Sequence, residues 1–213
     1  MKYESYSYIW PPRPKNAAPP SAIKIWDNGL MFGEPKLNGS NCTIYTNGIQ
    51  VKAMNRHNQS ITNYRLDTSE IFELFRSHSK GEWMVINGEY LNKSKNDETG
   101  KTFNHKLVIF DLLVLNSNYL VGKTFQERID IRHNLFGTLD SEKSYLYKIT
   151  ENIYHVKSYT NGFNNLFNTI SKIDMVEGLV LKRKNARLEM GLSESNNTKS
   201  QIKIRKSTRN YKF

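Results

Sequence analysis

Lys36 is the residue whose type and position most suggest covalent chemistry. It ends an apolar segment that begins at Leu30, and Gly39 opens a turn three residues later. A lysine at the end of a strand, partly desolvated and close to other cations, can lose its proton and act as a nucleophile. Alone, this pattern is common in a lysine-rich chain, and a surface lysine before a turn is its ordinary interpretation.

Later apolar segments carry acidic, aromatic and basic residues within or at their ends. They are Glu89 in NGEYL (87–91), Phe110 and Asp111 in VIFDLL (108–113), Glu177 in VEGLVLK (176–182), and Lys203 and Arg205 in QIKIR (201–205). In the last segment apolar and cationic residues alternate, so both cations point to one face of a strand. Together with Lys36 they form an ordered set of glycine- and charge-bearing strand ends.

Missing motifs exclude several classes of protein. The single cysteine, Cys42, rules out an intramolecular disulfide framework and a cysteine-based zinc site. The five histidines are scattered without the paired spacing of a metal site. The chain contains neither a Walker A loop nor G-x-G-x-x-G, and it lacks a serine or cysteine hydrolase signature.

The ordered set resembles the motifs of the covalent nucleotidyltransferase superfamily, which includes ATP-dependent DNA ligases, RNA ligases and mRNA capping enzymes. The segment KLNG (36–39) resembles motif I, and Arg56 resembles the motif Ia arginine. The residues that resemble motifs III, IIIa, IV and V follow in order as Glu89, Phe110, Glu177 and Lys203. The resemblance covers residues 32–206, nearly the whole chain after its proline-rich beginning.

The resemblance implies that Lys36 attacks the α-phosphorus of ATP, expels pyrophosphate and forms a lysyl–AMP intermediate. Glu177 would help to place Mg²⁺, with Mn²⁺ as an alternative, because such chemistry depends on charge neutralisation around the phosphates. The nucleotide-binding residues implied in this way are Glu34, Lys36, Asn41, Arg56, Glu89, Phe110, Glu177, Lys203 and Arg205. Among them, Lys203 and Arg205 would hold the α-phosphate, Glu89 a ribose hydroxyl, and Phe110 the adenine ring.

The charge of the chain predicts a polyanionic partner. There are 31 Lys and Arg against 20 Asp and Glu, a formal net charge of +11, and ten basic residues stand between Lys182 and the C-terminus against two acidic ones. A solvated basic tail is the alternative reading of that segment. The resemblance makes the partner a nucleic acid, namely nicked duplex DNA, RNA or a hybrid. The candidate contacts are Arg56, Lys182, Lys206 and Arg209.

Two departures from the family pattern bear on the substrate. Classical DNA ligases tend to carry Asp and Arg where this chain has Asn38 and Asn41, so the resemblance slightly favours the nick-sealing RNA ligases. ATP-dependent DNA ligation is the first alternative, and a non-catalytic nucleic-acid-binding protein of the same fold is the second. A capping enzyme is disfavoured, because we expect no C-terminal OB-fold after residue 206.

The elements that must position these residues are short strands with a few helices. Five of the six prolines lie between Pro11 and Pro20, which predicts an extended arm over residues 1–22 before a domain over 23–213. Strands are predicted at 30–36, 42–45, 49–53, 83–91, 107–115, 178–184 and 201–205, with a two-residue turn at Asn47-Gly48. Helices are predicted at 68–80, from Thr124 to Gly137 with a capping box, and at 163–173.

These elements indicate an α+β nucleotidyltransferase (ATP-grasp-like) domain of antiparallel sheets flanked by helices. No apolar run approaches the roughly 20 residues that span a bilayer, and the N-terminus lacks the apolar core of a secretory signal. We therefore expect a monomeric cytoplasmic protein without a membrane partner, located in the host cytoplasm if its source is viral.

Overall fold

The strands and helices are those of a computed structural model that describes residues 1–74, 81–140, 145–194 and 196–207. The strands are β1 (Arg13–Ala18), β2 (Met31–Leu37), β3 (Ser40–Thr46), β4 (Val51–Met54), β5 (Met84–Leu91), β6 (Lys106–Leu115), β7 (Asn118–Tyr119), β8 (Leu146–Lys148), β9 (Ile153–Val156), β10 (Val176–Arg183) and β11 (Asn197–Arg205). The helices are α1 (Ile23–Trp26), α2 (Thr68–Glu73), α3 (Phe125–Phe136) and α4 (Phe163–Ile170). Each predicted strand is present, and all but the last lie within about two residues of their predicted bounds; β11 begins at Asn197, four residues before its predicted start.

The strands form two sheets. A four-stranded sheet has the order β1-β11-β10-β2, and a seven-stranded sheet has the order β4-β3-β5-β6-β9-β8 with β7 beside β6. The prediction of antiparallel sheets is confirmed for most neighbours. The pairs β1/β11 and β6/β9 are parallel instead, so both sheets are mixed.

Two apolar cores lie against the sheets. Strand β6 is almost continuously apolar because it separates them: Val108 belongs to one core and Ile109 to the other, and both are fully buried. The core with Val108 also contains apolar residues of the four-stranded sheet and of α1 and α4. The two sheets are thereby joined into one packed body.

The N-terminal segment packs on this body. Tyr3 and Ile9 are buried in the core that contains Ile109, and β1 adds a parallel strand to the edge of the four-stranded sheet. Proline suits this edge position because it has no N–H to donate to a ladder. The division of the chain at residue 22 stays a prediction.

The capping predictions agree with the structure. Asp67 caps α2 by accepting from Ser69 N, and the predicted extension of this helix beyond residue 74 lies outside the described residues. Thr124 and Glu127 form the capping box of α3, which Gly137 ends. The turn prediction at Asn47-Gly48 was wrong in length: Thr46 pairs with Val51, so four residues connect β3 to β4. Among the described residues, no helix is long and apolar enough to cross a membrane.

Candidate active site

Strand pairing places the predicted cations in adjacent rows of the four-stranded sheet. Lys36 and Arg205 both pair with Gly178, one from each side. Lys203 pairs with Val180, which lies two residues along β10 from Gly178 and therefore on the same face. Directly paired residues point to the same face of a sheet, so the candidate nucleophile and both cations of β11 share one face.

A β-bulge in β10 turns Glu177 towards the same group. Val176 pairs with Leu37 and Gly178 with Lys36, so Glu177 is an extra residue between them. Regular alternation would send a residue next to Gly178 to the opposite face, and the bulge breaks that alternation. Gly178 has φ 153°, and a Cβ on it would lie 1.9 Å from the Ile204 carbonyl oxygen. Only glycine allows β11 to approach this closely.

The charged groups on this face are in direct contact. The Lys36 ammonium forms an ion pair with Glu177 Oε1, and Arg205 Nε lies 3.6 Å from the same oxygen. These side chains are 21%, 23% and 26% exposed respectively, which leaves them partly desolvated and open to a ligand. Burial lowers the pKa of Lys203, and the cations Arg205 and Lys36 lower it further.

Glu89 faces Lys36 from the seven-stranded sheet. Its Oε1 accepts a hydrogen bond of 3.1 Å from Gly39 N, in the turn between β2 and β3. A Cβ on Gly39 would lie 2.5 Å from the Tyr90 carbonyl oxygen, so the glycine of the KLNG segment allows the turn to pack on β5. Burial and the nearby Glu177 raise the pKa of Glu89 from 4.5 to about 7, against the opposing effect of Lys36.

Phe110 is also the extra residue of a β-bulge. Asn87 pairs with Asp111 and Gly88 with Ile109, which leaves Phe110 between them. Its partly buried ring lies 5.0 Å from the Lys182 ammonium. Two predicted site residues, Glu177 and Phe110, therefore owe their orientation to bulges, which occur often beside active sites.

A family model described as the ATP dependent DNA ligase domain matches residues 15–201 of this chain. The chain belongs to that family. The match includes the segments that carry Lys36, Arg56, Glu89, Phe110 and Glu177, and it ends two residues before Lys203. No curated protein sequence matches the chain.

Solved structures of ligases share the fold of this ligase domain. A mycobacterial DNA ligase D complexed with ATP and MES is 17% identical with a TM-score of 0.58, over 91% of this chain and 58% of that one. An archaeal ATP-dependent RNA ligase is 17% identical with a TM-score of 0.52, over 91% and 47%. A Chlorella virus DNA ligase-adenylate is 13% identical with a TM-score of 0.51, over 91% and 68%. The chain spans little more than half of the ligase D structure.

Two predicted contact residues of the ligase domain are buried. Glu34 is 1% exposed and Lys182 is 5% exposed. Their charged ends are 2.7 Å apart, Arg132 of α3 donates to Glu34 at 3.1 Å, and Ser158 donates to it at 2.6 Å. These contacts link α3 to the sheet beside Phe110. Nucleotide contact by Glu34 and nucleic-acid contact by Lys182 stay predictions.

Asn41 and Lys206 make contacts within the ligase domain. Asn41 and Asn87 exchange side-chain hydrogen bonds of 3.3 and 3.5 Å, which join β3 to β5. Lys206 donates from its ammonium to the Ile173 carbonyl at 2.8 Å. Its backbone N–H bonds to the Glu177 carbonyl at 2.9 Å, so Lys206 holds the strand end beside Glu177. Arg209 lies outside the described residues.

Arg56 lies on the exposed turn that follows β4, residues 55–60, which we call the Arg56 loop. Its Nε donates to His57 Nε2 at 3.0 Å. Among the predicted site residues that the structure describes, Arg56 lies on a loop and the rest lie on or next to strands.

Sequence reasoning missed two buried arginines of α3. Arg128 makes a bidentate pair with Asp111 at 2.8 and 3.0 Å, and Arg132 donates to the Phe110 carbonyl at 2.6 Å. Burial raises the pKa of Asp111, but the charge and hydrogen bonds of Arg128, the Lys182 charge and the Leu112 N–H together outweigh it, and the net shift is downwards. The available signal was the spacing of the two arginines, which puts both on one face of α3.

Proposed function

We propose that the ligase domain is an ATP-dependent polynucleotide ligase that joins 5′-phosphate and 3′-hydroxyl ends at nicks, through AMP carried on Lys36. The observation that supports this most strongly is the shared face of Lys36, Glu177, Lys203 and Arg205, with Glu177 in contact with both Lys36 and Arg205. A nucleophile, a carboxylate and two further cations are the groups that nucleotidyl transfer requires.

Lys36 begins the reaction in this proposal. Its ammonium first gives up a proton, for which the contacting Glu177 carboxylate is the nearest acceptor. The Nζ lone pair then forms a bond to the α-phosphorus of ATP as the bond to the bridging oxygen breaks and pyrophosphate leaves. Lys203 and Arg205 stabilise the charge that develops on the phosphate oxygens.

The seven-stranded sheet, opposite Lys36, offers groups for the rest of the nucleotide. Glu89, when ionised, accepts a hydrogen bond from a ribose hydroxyl, and the Phe110 ring stacks on adenine. Among the described residues, no three His, Cys, Asp or Glu side chains cluster as a metal site. Glu177 would hold a Mg²⁺ or Mn²⁺ ion together with the phosphates of ATP, and the ion would supply further charge neutralisation.

AMP then passes to a nucleic-acid end. A 5′-phosphate oxygen attacks the AMP phosphorus and Lys36 leaves; the 3′-hydroxyl then displaces AMP and the strand is sealed. We propose a DNA nick as the principal substrate, because the family model that matches is that of a DNA ligase domain. RNA ligation stays a prediction from Asn38 and Asn41, and the monomeric state and cytoplasmic location also stay predictions.

Sealing of synthetic nicks tests this proposal. The purified protein is given ATP and Mg²⁺ or Mn²⁺ with matched nicked duplexes whose 3′-OH and 5′-phosphate strands are DNA or RNA. We expect sealed strands on a denaturing gel, most rapidly for DNA ends, and none with Lys36→Ala. Faster sealing of RNA ends would replace the DNA proposal by the RNA prediction. A protein that forms lysyl–AMP and transfers it to none of these ends is not a ligase.

A further inference from the structure

The Arg56 loop is closed on itself. Asn55 Oδ1 accepts hydrogen bonds from His57 N at 2.8 Å and Gln59 N at 3.1 Å, and Asn55 N bonds to the Gln59 carbonyl at 2.7 Å. Asn58 adopts φ 59°, a left-handed conformation that suits asparagine in a tight turn. Because these bonds fix the loop internally, whatever holds Asn55 or His57 also holds Arg56.

A relay of hydrogen bonds reaches Arg56 from the connection between β10 and β11. Glu194 Oε1 lies 3.3 Å from His57 Nδ1, and His57 Nε2 lies 3.0 Å from Arg56 Nε. Arg56 can only donate, so His57 Nε2 must accept and Nδ1 must carry the proton, which it donates to Glu194. The carboxylate thus fixes the histidine tautomer that orients the guanidinium.

The N-terminal segment holds both ends of this relay. Tyr8 Oη donates to the Asn55 carbonyl at 2.7 Å, and Tyr6 Oη donates to Asn58 Oδ1 at 3.3 Å. On the other side, Arg13 donates to the Glu194 carbonyl at 2.5 Å. The segment therefore joins a loop of the seven-stranded sheet to the four-stranded sheet that carries Lys36.

We propose that Glu194, His57 and Tyr8 are positioning residues that hold the Arg56 guanidinium for a phosphate of the nucleic-acid end. The inference rests on the proposed function, in which that end must meet the AMP on Lys36. An arginine recognises phosphate through two parallel N–H donors, so its orientation matters as much as its charge. A misplacement of about 1 Å is enough to slow a positioned reaction strongly.

A double-mutant cycle with Arg56→Ala tests the proposal. The variants are Glu194→Ala and Tyr8→Phe, each measured for lysyl–AMP formation and for KM and kcat with a nicked duplex. We expect unchanged lysyl–AMP formation and a KM for the nick raised about three- to tenfold, the equivalent of one lost hydrogen bond. In the Arg56→Ala background the same changes should have no further effect, because they act through Arg56.

Two matched controls separate positioning from folding. Glu194→Gln keeps the acceptor oxygen and should behave as the unaltered protein. Tyr3→Phe removes an arm hydroxyl that bonds only to Ser7, within the segment, and should leave KM unchanged. Full additivity with Arg56→Ala, or a parallel fall in lysyl–AMP formation, would overturn the proposal.

Failure of the proposed function would be visible separately. If the unaltered protein forms no lysyl–AMP, the ligase proposal fails. The Kd of the same variants for the nicked duplex is then measured at fixed salt. Non-additive weakening would then support positioning of Arg56 by Glu194 and Tyr8. Additive or absent effects would count against it in either assay.

Discussion

At the scale of single residues, the site places the candidate nucleophile Lys36 among charged groups that shift the pKa of nearby side chains. Glu177 contacts Lys36 and Arg205 at once, and it lies close enough to Glu89 to raise the pKa of that carboxyl. The Glu89 carboxyl, with its pKa raised to about 7, is therefore partly protonated near neutral pH. Binding of a divalent ion or of ribose hydroxyls would favour the ionised form of Glu89.

Glu89→Gln should change how stability depends on pH. Burial raises the pKa of Glu89 from 4.5 to about 7 in the folded protein, so the folded state binds this proton more tightly than the unfolded chain. The stabilisation is complete below pH 4.5 and is lost as the pH rises through about 7. Thermal unfolding midpoints measured between these values should fall less with rising pH in Glu89→Gln than in the unaltered protein. Parallel curves would show that Glu89 does not carry the shift.

At the scale of elements, the site depends on departures from regular strands. Glu177 reaches Lys36 only because β10 contains a bulge, and the bulge is next to Gly178, whose backbone touches β11. A side chain at position 178 would push β10 and β11 apart and disturb Glu177 and Arg205 together.

Gly178→Ala should destabilise the fold by at least about 2 kcal/mol, since it combines an unfavourable φ with a clash against backbone. Gly100→Ala is the matched control: Gly100 has φ 80° and nothing within 4 Å of a Cβ, so it isolates the cost of φ. We expect Gly100→Ala to lower the free energy of unfolding by about 1 kcal/mol. Urea unfolding measures both, and equal losses would mean that the approach of β11 is not the cause.

The sequence predicted seven of the strands that the structure describes, but not β1, β7, β8 and β9, nor the connections between strands. Strand periodicity located β2, β5 and β10 because their apolar residues are fixed by burial. The bulges at Glu177 and Phe110 depend on the register between strands that are distant in the chain, which one segment does not encode. The position of the Arg56 loop depends in the same way on contacts with Tyr8 and Glu194, which are distant in the chain.

The burial of several charged residues was also not predicted from the sequence. Charged residues are almost never fully buried unless they are paired, so Arg128, Arg132, Glu34 and Lys182 are expected on the surface when each is considered alone. Their partners come from other elements, and together they bury an ionic network that positions α3 behind Phe110. Removal of a single partner from such a network leaves an unpaired buried charge.

At the scale of the whole molecule, a net charge of +11 should dominate nucleic-acid binding. Arg56 lies on an exposed loop, whereas Lys24 lies on α1, which packs in the core on the other side of the four-stranded sheet. Each released counterion adds to the dependence of log Kd on log salt concentration.

Binding of a nicked duplex should therefore weaken at least about tenfold between 50 and 200 mM salt. Arg56→Ala should reduce the slope of log Kd against log salt by about 1, whereas Lys24→Ala should leave it unchanged. Fluorescence anisotropy at several salt concentrations measures both. Equal slopes for all three proteins would remove Arg56 from the nucleic-acid interface.

Covalent labelling tests directly whether Lys36 is the nucleophile that carries AMP. The protein, first freed of bound AMP with pyrophosphate, is incubated with α-labelled ATP or GTP and Mg²⁺ and examined by denaturing gel and intact mass. We predict an adduct of one AMP from ATP alone, lost in Lys36→Ala and in Lys36→Arg and mapped to Lys36 by peptide mass spectrometry. An adduct from GTP would point to nucleotide transfer of the capping type. No adduct from either nucleotide in a folded protein would contradict the assignment of Lys36 as the nucleophile.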